Sequence, residues 1–275
     1  MKDRLEPILA QARARVEALR SRLAEIERAA TVSPAPPLFI LSPGDGGVGV
    51  IAEIKRRSPS EGVLRDDLDP EDMALQYQRA GAVAVSVVTE GAYFGGSLAD
   101  LENVSRALGK RPGSRALPVL RKDFVLDQVQ LFETRAAGAA AVLLIVRALS
   151  TQQLQDLSRQ ARGLDLATLV EVHTEKELDR ALGVGASAVG INSRDLGSFE
   201  VDLGTAERLL PLVPGDVPAV AESGIAVRRD VERLALAGAD AVLVGSAVVR
   251  SPDPERAVRD LTGVVRRPRH AGSIP

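Results

Sequence analysis

Residues 118–145 read PVLRKDFVLDQVQLFETRAAGAAAVLLI. Pro118-Val119-Leu120 is a short apolar run that stops on a charged cluster, Arg121-Lys122-Asp123, before Phe124. A helical pattern follows over Gln128–Ala137, Gly138-Ala139 ends it, and Ala140–Ile145 is a second unbroken apolar run. Strand, helix, strand is the minimal reading. Runs without polar alternation belong to strands buried on both faces, as in a parallel sheet covered by helices.

The unit repeats on either side. Apolar runs occur at Val48–Ile54, Val83–Val88, Leu117–Leu120, Ala140–Ile145, Leu166–Val170, Ala188–Ile191, Val217–Ala221 and Ala241–Val244. Helical segments lie between them, at Pro70–Ala80, Leu98–Ala107, Gln128–Ala137, Thr151–Arg162, Glu175–Leu182, Gly204–Leu210 and Val227–Ala237, with a closing one at Pro254–Leu261. Four of these helices run into Gly-Ala just before a strand (Gly81, Gly138, Gly185, Gly238), where glycine supplies a left-handed cap. Eight βα units predict an α/β protein, a (β/α)8 TIM barrel. A doubly wound open sheet is the alternative, but its Gly-rich loop after the first strand is absent: EIKRRSPSEG stands there.

Ahead of the barrel, Leu5, Ile8, Leu9, Ala12, Val16, Leu19, Leu23 and Ile26 recur at helical spacing with charges opposite, predicting one extra N-terminal helix that packs on something. The Pro- and Gly-punctuated TVSPAPPLFILSPGDGG is a connector. The expected organisation is a helical extension and linker over 1–45, the barrel over 46–265 and a frayed basic tail over 266–275.

A net charge of −2 and a pI near 5.9 argue against nucleic-acid and membrane-surface binding. The absence of cysteine removes thiol nucleophiles and thiolate metal sites, and the two histidines, His173 and His270, are too far apart in sequence for a His-rich metal site. The first residues lack a signal-peptide core, so a cytoplasmic protein is expected.

Active sites of such barrels form where the strands end. After the first strand come Glu53, Lys55 and Ser58, the first two on one side because strand residues alternate. TEGAYFGGS follows the second with Phe94; Lys122 and Phe124 follow the third, and Glu171 the fifth. Asn192 and Arg194 follow the sixth, Glu222, Ser223 and Gly224 the seventh, Gly245 and Ser246 the eighth. Singly, the charges read equally well as an ion-pair lattice, the phenylalanines as core, and His173 as a satisfied or surface histidine. Together they converge on one mouth, where lysines among glutamates tune proton-transfer pKa values. The glycines and serines after the last two strands form the usual phosphate cradle of such barrels, implying a small phosphorylated substrate and no metal.

The strings IAEIKRRSPS, YFGGSL, PVLRKDF, LVEVHT, GINSRDL with FEVDL, and AESGI together resemble indole-3-glycerol-phosphate synthase, the barrel enzyme of tryptophan biosynthesis, over Val48–Arg250. The resemblance implies conversion of 1-(o-carboxyphenylamino)-1-deoxyribulose 5-phosphate to indole-3-glycerol phosphate, carbon dioxide and water without a cofactor. It implies Lys122 as general acid, with a pKa brought down by burial and Lys55, and Glu171 as general base. Lys55 would grip the substrate, and Glu53, Asn192 and Glu222 would orient the charged groups. Ser58 and Arg194 would stand at the substrate end, Phe94 and Phe124 would wall the anthranilate ring, and Ser223, Gly224, Gly245 and Ser246 would hold the phosphate. A monomer or weak oligomer is expected, with other tryptophan-pathway enzymes as partners. The chain departs from the family pattern at Glu61 (SPSEG for the common SPSKG), at Val129 and at Ser193.

Three rivals stand beside this reading. Phosphoribosylanthranilate isomerase chemistry uses a Cys/Asp pair, and there is no cysteine. An aldolase would use Lys122 as a Schiff base. A non-catalytic barrel would use the N-terminal helix to bind a partner.

Overall fold

The computed structural model describes residues 5–109, 116–195 and 197–269. Eight parallel strands close into a barrel: β1 (Gly49–Ile54), β2 (Ala84–Val88), β3 (Val119–Lys122), β4 (Ala141–Ile145), β5 (Ala167–Val172), β6 (Ala188–Asn192), β7 (Ala219–Glu222) and β8 (Ala241–Val244). Each pairs with its neighbour in sequence, and β8 closes on β1 from Gly49 opposite Ala241 to Ala52 opposite Val244. The protein is thus a (β/α)8 barrel preceded by helix.

Alternation along each strand divides the core in two. Ile51, Leu120, Leu143, Leu169, Val220 and Leu243 point inward and fill the barrel. Ala52, Ile54, Val85, Val119, Val142 and Val170 point outward against the helices. The outer ring comprises α3 (Pro70–Arg79), α4 (Leu98–Leu108), α5 (Gln128–Ala136), α6 (Thr151–Gly163), α7 (Glu175–Gly183), α8 (Leu203–Leu209), α9 (Arg228–Ala237), a short α10 (Ser246–Val249) and α11 (Pro254–Leu261). Gly81, Gly138, Gly185 and Gly238 all have positive φ, as the Gly-Ala pattern predicts.

Three differences from the sequence reading bear on function. Strands β3, β5, β6 and β7 run one or two residues past the last apolar position, so Lys122, Glu171, Asn192 and Glu222 lie on strands. An apolar run ends where the barrel lining turns polar, whereas the ladder continues. The charged side chains thereby gain a rigid backbone that a loop would not give. Second, EIKRRSPSEG contains a small antiparallel hairpin, Arg57–Ser58 against Gly62–Val63.

Third, the single N-terminal helix is two, α1 (Leu5–Arg20) and α2 (Leu23–Val32). At the break Ser21 Oγ donates to Ala18 O at 2.9 Å, a side-chain alternative to the helical ladder. The split lets both pieces bury their apolar faces. Val16, Leu19, Leu23 and Ile26 pack on Val129 and Phe132 of α5. Leu5, Ile8, Leu9 and Ala12 join the cluster that holds Tyr93, Phe94 and Phe124 at the carboxyl rim. Arg15 and Arg20 fix that placement through ion pairs to Asp123 and Asp127, both 2.8 Å.

The connector passes under the amino-terminal face, where Leu41 is buried and Val48 N donates to Val264 O at 2.8 Å. Residues 266–269 lie on the same face: Arg269 reaches Val213 O and Val217 O, and Arg266 and Arg269 both pair with Asp240. His270 and the rest of the expected tail lie outside the described residues. A Cβ at Gly49 would fall 2.0 Å from Leu41 O and 2.8 Å from Val83 Cγ2. Because the nearest obstacle is backbone, Gly49→Ala is expected to cost about 1–3 kcal/mol, read as a lower urea midpoint. An unchanged midpoint would show that the connector does not brace the barrel floor.

Candidate active site

The carboxyl ends of the strands surround a cavity of about 380 Å³. Its lining brings together every site residue that the resemblance implies, though not His173. Glu53, Lys55, Lys122, Glu171, Asn192 and Glu222 form the floor and walls. Phe94 and Phe124 flank one side, Ser58 and Arg194 the rim, and Ser223, Gly224, Gly245 and Ser246 the end beyond β7 and β8. The volume suits a small organic molecule.

PVLRKDF separates two roles by the pleat. Leu120 and Lys122 face into the barrel, while Arg121 faces α5 and is nearly fully buried. Its guanidinium donates to Thr89 Oγ1, Gln130 O, Thr134 Oγ1, Asp123 and Glu133, so it ties β3 to α5. Asp123 also accepts from Thr89 Oγ1 at 2.5 Å and from Arg15, which links the loops after β2 and β3 to α1. Arg121 and Asp123 are therefore fully employed as structure.

Lys122 Nζ stands 3.2 Å from Glu171 Oε2 and 3.3 Å from Glu222 Oε2. Lys55 Nζ stands 2.7 Å from Glu53 Oε1. Burying such charges singly would cost several kcal/mol each, and mutual pairing offsets the cost. Burial disfavours the Lys122 ammonium, yet Glu222, Glu171 and Glu53 outweigh it and raise its pKa. The sequence argument expected a lowered value from burial and Lys55; three carboxylates reverse the sign.

Burial likewise opposes charge on Glu171 and Glu53, but the lysines prevail and hold both below the usual carboxylate range, with His173 and the Asn192 amide assisting at Glu171. Glu222 goes the other way. Desolvation, with Glu171 and Glu53 nearby, outweighs Lys122 and pushes it up to about 7. Glu171 Oε1 and both Glu222 oxygens are buried without a well-aligned hydrogen-bond donor among the described residues. Unsatisfied buried acceptors on a cavity wall leave room for a ligand's own donors.

Asn192 is oriented by its neighbours, since its Oδ1 accepts from Arg194 N at 3.0 Å, which turns the amide nitrogen toward Glu171. Two glycines exist because the carboxylates need their space. A Cβ on Gly190 would lie 2.1 Å from Glu222 Oε1, and one on Gly245 would lie 2.6 Å from Glu53 Oε1. Ser223 and Gly224 both have positive φ, and for serine this is a strained state kept by its surroundings.

Several contributors escape a reading by strand ends. Glu90 accepts from the backbone N–H groups of Ala92, Tyr93 and Phe94 and so shapes the loop that carries Phe94. Phe94 and Phe124 meet with ring centroids 6.4 Å apart. His173 is neither exposed nor satisfied: Nε2 lies 3.8 Å from Glu171 Oε1 and Nδ1 lies 3.5 Å from Glu177 Oε2. Burial opposes its charge, but Glu177 and Glu171 raise its pKa. The LVEVHTEKE spacing, with Glu on both sides of the histidine, was the available signal.

Fold and site together define a (β/α)8 enzyme-type barrel with paired lysines and carboxylates around a cavity at its carboxyl mouth. The family model described as indole-3-glycerol phosphate synthase matches residues 5–261. Similar chains named indole-3-glycerol phosphate synthase include one from Kineococcus radiotolerans, 50% identical over 232 residues (83% of this chain, 82% of that one). Another, from Rhodococcus jostii, is 44% identical and spans 96% of both chains. Indole-3-glycerol phosphate synthase 1 of Streptomyces coelicolor is 46% identical over 90% of each. The chain belongs to the indole-3-glycerol phosphate synthase family, the carboxy-lyases of tryptophan biosynthesis. Among solved structures, thiamine phosphate pyrophosphorylase from Pyrococcus furiosus aligns with a TM-score of 0.59 at 18% identity, over 78% of this chain and 93% of that one. The 3-hexulose-6-phosphate synthase from Salmonella typhimurium aligns at 0.60 and 14%, over 78% and 96%. At these identities the likeness is of fold alone.

The raised Glu222 has a consequence for stability. Between pH 4.5 and about 7 the native protein keeps a proton on Glu222 that the unfolded chain has released. Its contribution is therefore greatest below 4.5 and declines as pH rises through about 7. The urea midpoint of the natural protein is expected to fall relative to that of Glu222→Gln between about pH 5 and about pH 8. Parallel midpoints over that range would contradict the assignment.

Proposed function

We propose that this chain closes, decarboxylates and dehydrates 1-(o-carboxyphenylamino)-1-deoxyribulose 5-phosphate to indole-3-glycerol phosphate, with Lys122 as general acid and Glu171 as general base. The observation that carries this reading is geometric: Lys122 Nζ and Glu171 Oε2 stand 3.2 Å apart on the wall of one cavity, an ammonium donor beside a carboxylate acceptor. Both groups start in the protonation state that their role requires, although the raised lysine pKa makes Lys122 a weaker acid than the resemblance implies.

In the first step the carboxylate-bearing ring carbon attacks the substrate ketone while Lys122 Nζ delivers a proton to the carbonyl oxygen. Loss of carbon dioxide then returns the bond electrons to the ring. The new hydroxyl leaves as water while Glu171 removes the proton from the adjacent carbon beside nitrogen, and the indole double bond forms. Lys55, next to Glu53, is the second proton source for the departing hydroxyl. The Phe94–Phe124 wall suits the aromatic ring and a carboxylate that must shed its charge. Ser223, Gly224, Gly245 and Ser246 lie across the cavity and suit the phosphate. No step requires a cofactor.

Schiff-base chemistry at Lys122 is disfavoured by the same electrostatics, because an ammonium held by three carboxylates has no free electron pair for a carbonyl. Lys122→Ala and Glu171→Gln are each expected to lower kcat by about 10²–10⁴-fold, followed by indole fluorescence from the carboxyphenylamino-deoxyribulose phosphate. Borohydride with substrate should leave no covalent adduct on Lys122. Full turnover in either variant, or a trapped adduct, would overturn the assigned roles.

A further inference from the structure

Glu61 departs from the family pattern noted above, and its carboxylate turns from solvent toward the cavity, where it is part-buried. Oε2 accepts from Ser246 Oγ at 2.5 Å and lies 3.4 Å from Ser58 Oγ, while Oε1 is 3.3 Å from Arg250 Nη1. Arg250 also donates to the Glu61 backbone carbonyl at 3.2 Å. Ser246 belongs to the cavity end assigned above to phosphate, and Ser60, Glu61 and Arg250 line the same cavity. The carboxylate thus makes the contacts a phosphate oxygen would seek: a hydroxyl donor after β8 and a guanidinium beside it.

We propose that Glu61 is an internal anion seated at the phosphate end of the cavity, so that a phosphorylated ligand binds only by displacing this chain's own carboxylate. The inference rests on the assignment of that end to phosphate. A phosphate dianion and the carboxylate cannot share Ser246 Oγ without like charges in contact. One must leave, and Glu61 is the one on a movable element. It sits at the turn of the hairpin Arg57–Ser58/Gly62–Val63, followed by Gly62 at φ 69°. Across the mouth, the hairpin is fastened by the Glu61 contacts and by Arg194 Nη1 donating to Ser60 Oγ at 2.9 Å. Desolvation opposes charge on the carboxylate, but the Ser246 hydroxyl with Arg250, Lys55 and Arg194 prevails and lowers its pKa, so the group in the seat is an anion at neutral pH. Displacement frees Arg250 and Ser246 for the incoming anion and leaves the Arg194–Ser60 contact as the hairpin's remaining tie across the mouth. Affinity for phosphate is then reduced by the fraction of time the seat is free.

Titration calorimetry with inorganic phosphate at fixed ionic strength tests this on the full chain. A seat filled about nine-tenths of the time lowers affinity about tenfold, so Glu61→Gln should bind phosphate about tenfold more tightly than the natural protein. Glu61→Lys should bind more tightly still. Asp66→Asn, which removes an exposed charge paired with Arg57 on the same segment, should change affinity less than about twofold. Ser246→Ala placed on Glu61→Gln should remove the gain. If Glu61→Gln binds phosphate no more tightly than the natural protein or than Asp66→Asn, the inference is overturned; undetectable binding in both counts as that result. Turnover of the carboxyphenylamino-deoxyribulose phosphate, measured beside it, separates the two ideas. Turnover with an unchanged phosphate affinity in Glu61→Gln sinks only the internal anion. Tighter phosphate binding without turnover in any of the proteins sinks only the proposed reaction.

Discussion

Lys122 stands part-buried among Glu171, Glu222 and Glu53, and the architecture around it serves to keep those four groups together. Separately, each charge would be expelled from such an interior or would lose its charge. Together they are tolerated because four different strands deliver them to one level of a closed barrel. Closure matters for this: β1 carries Glu53 and β7 carries Glu222, and only the β8–β1 ladder makes them neighbours across the mouth. The glycines at 190 and 245 follow from the same requirement, since a methyl group at either would occupy the volume of a carboxylate oxygen.

The balance among these groups is uneven, and the unevenness is chemically useful. Two carboxylates are pulled below their ordinary range and one is pushed toward neutrality. A third ionised carboxylate would exceed what two lysines compensate, so Glu222 takes up the strain as a raised pKa. The outer layers protect the arrangement. Arg121 and Asp123 lock β3 to α5 and α1, and α1 lays its apolar face by the phenylalanine wall. The N-terminal helix therefore braces the site from outside the barrel.

The barrel was readable because its signal is local and repeated: an apolar run and a helix eight times over, with a Gly-Ala stop at four of the helices. The candidate site was readable because its residues lie just past seven of the eight runs and line one cavity. The misreadings have physical causes. Strand ends were placed too early since inward-facing Lys122, Glu171 and Glu222 look like loop residues to a pattern that counts apolar side chains. The direction of the Lys122 pKa was missed because it depends on summing three carboxylates from three other strands. The split between α1 and α2 turns on packing against α5, which no helical periodicity reports. Glu61 registered as a departure from pattern, but its partner Ser246 is 185 positions away, and only the fold joins them.

The central claim is that Lys122 is a part-buried ammonium kept charged by carboxylates. The chain contains only five lysines, Lys2, Lys55, Lys110, Lys122 and Lys176, so each side-chain amine is separable by nitrogen-15 NMR with the Lys122→Ala protein for assignment. The Lys122 resonance should remain that of a protonated amine while an ordinary lysine titrates, near pH 10.4 (about the unperturbed value). A Lys122 amine that is already neutral near pH 7–8 (roughly working conditions) would contradict the account, because the acid would then have no proton to give.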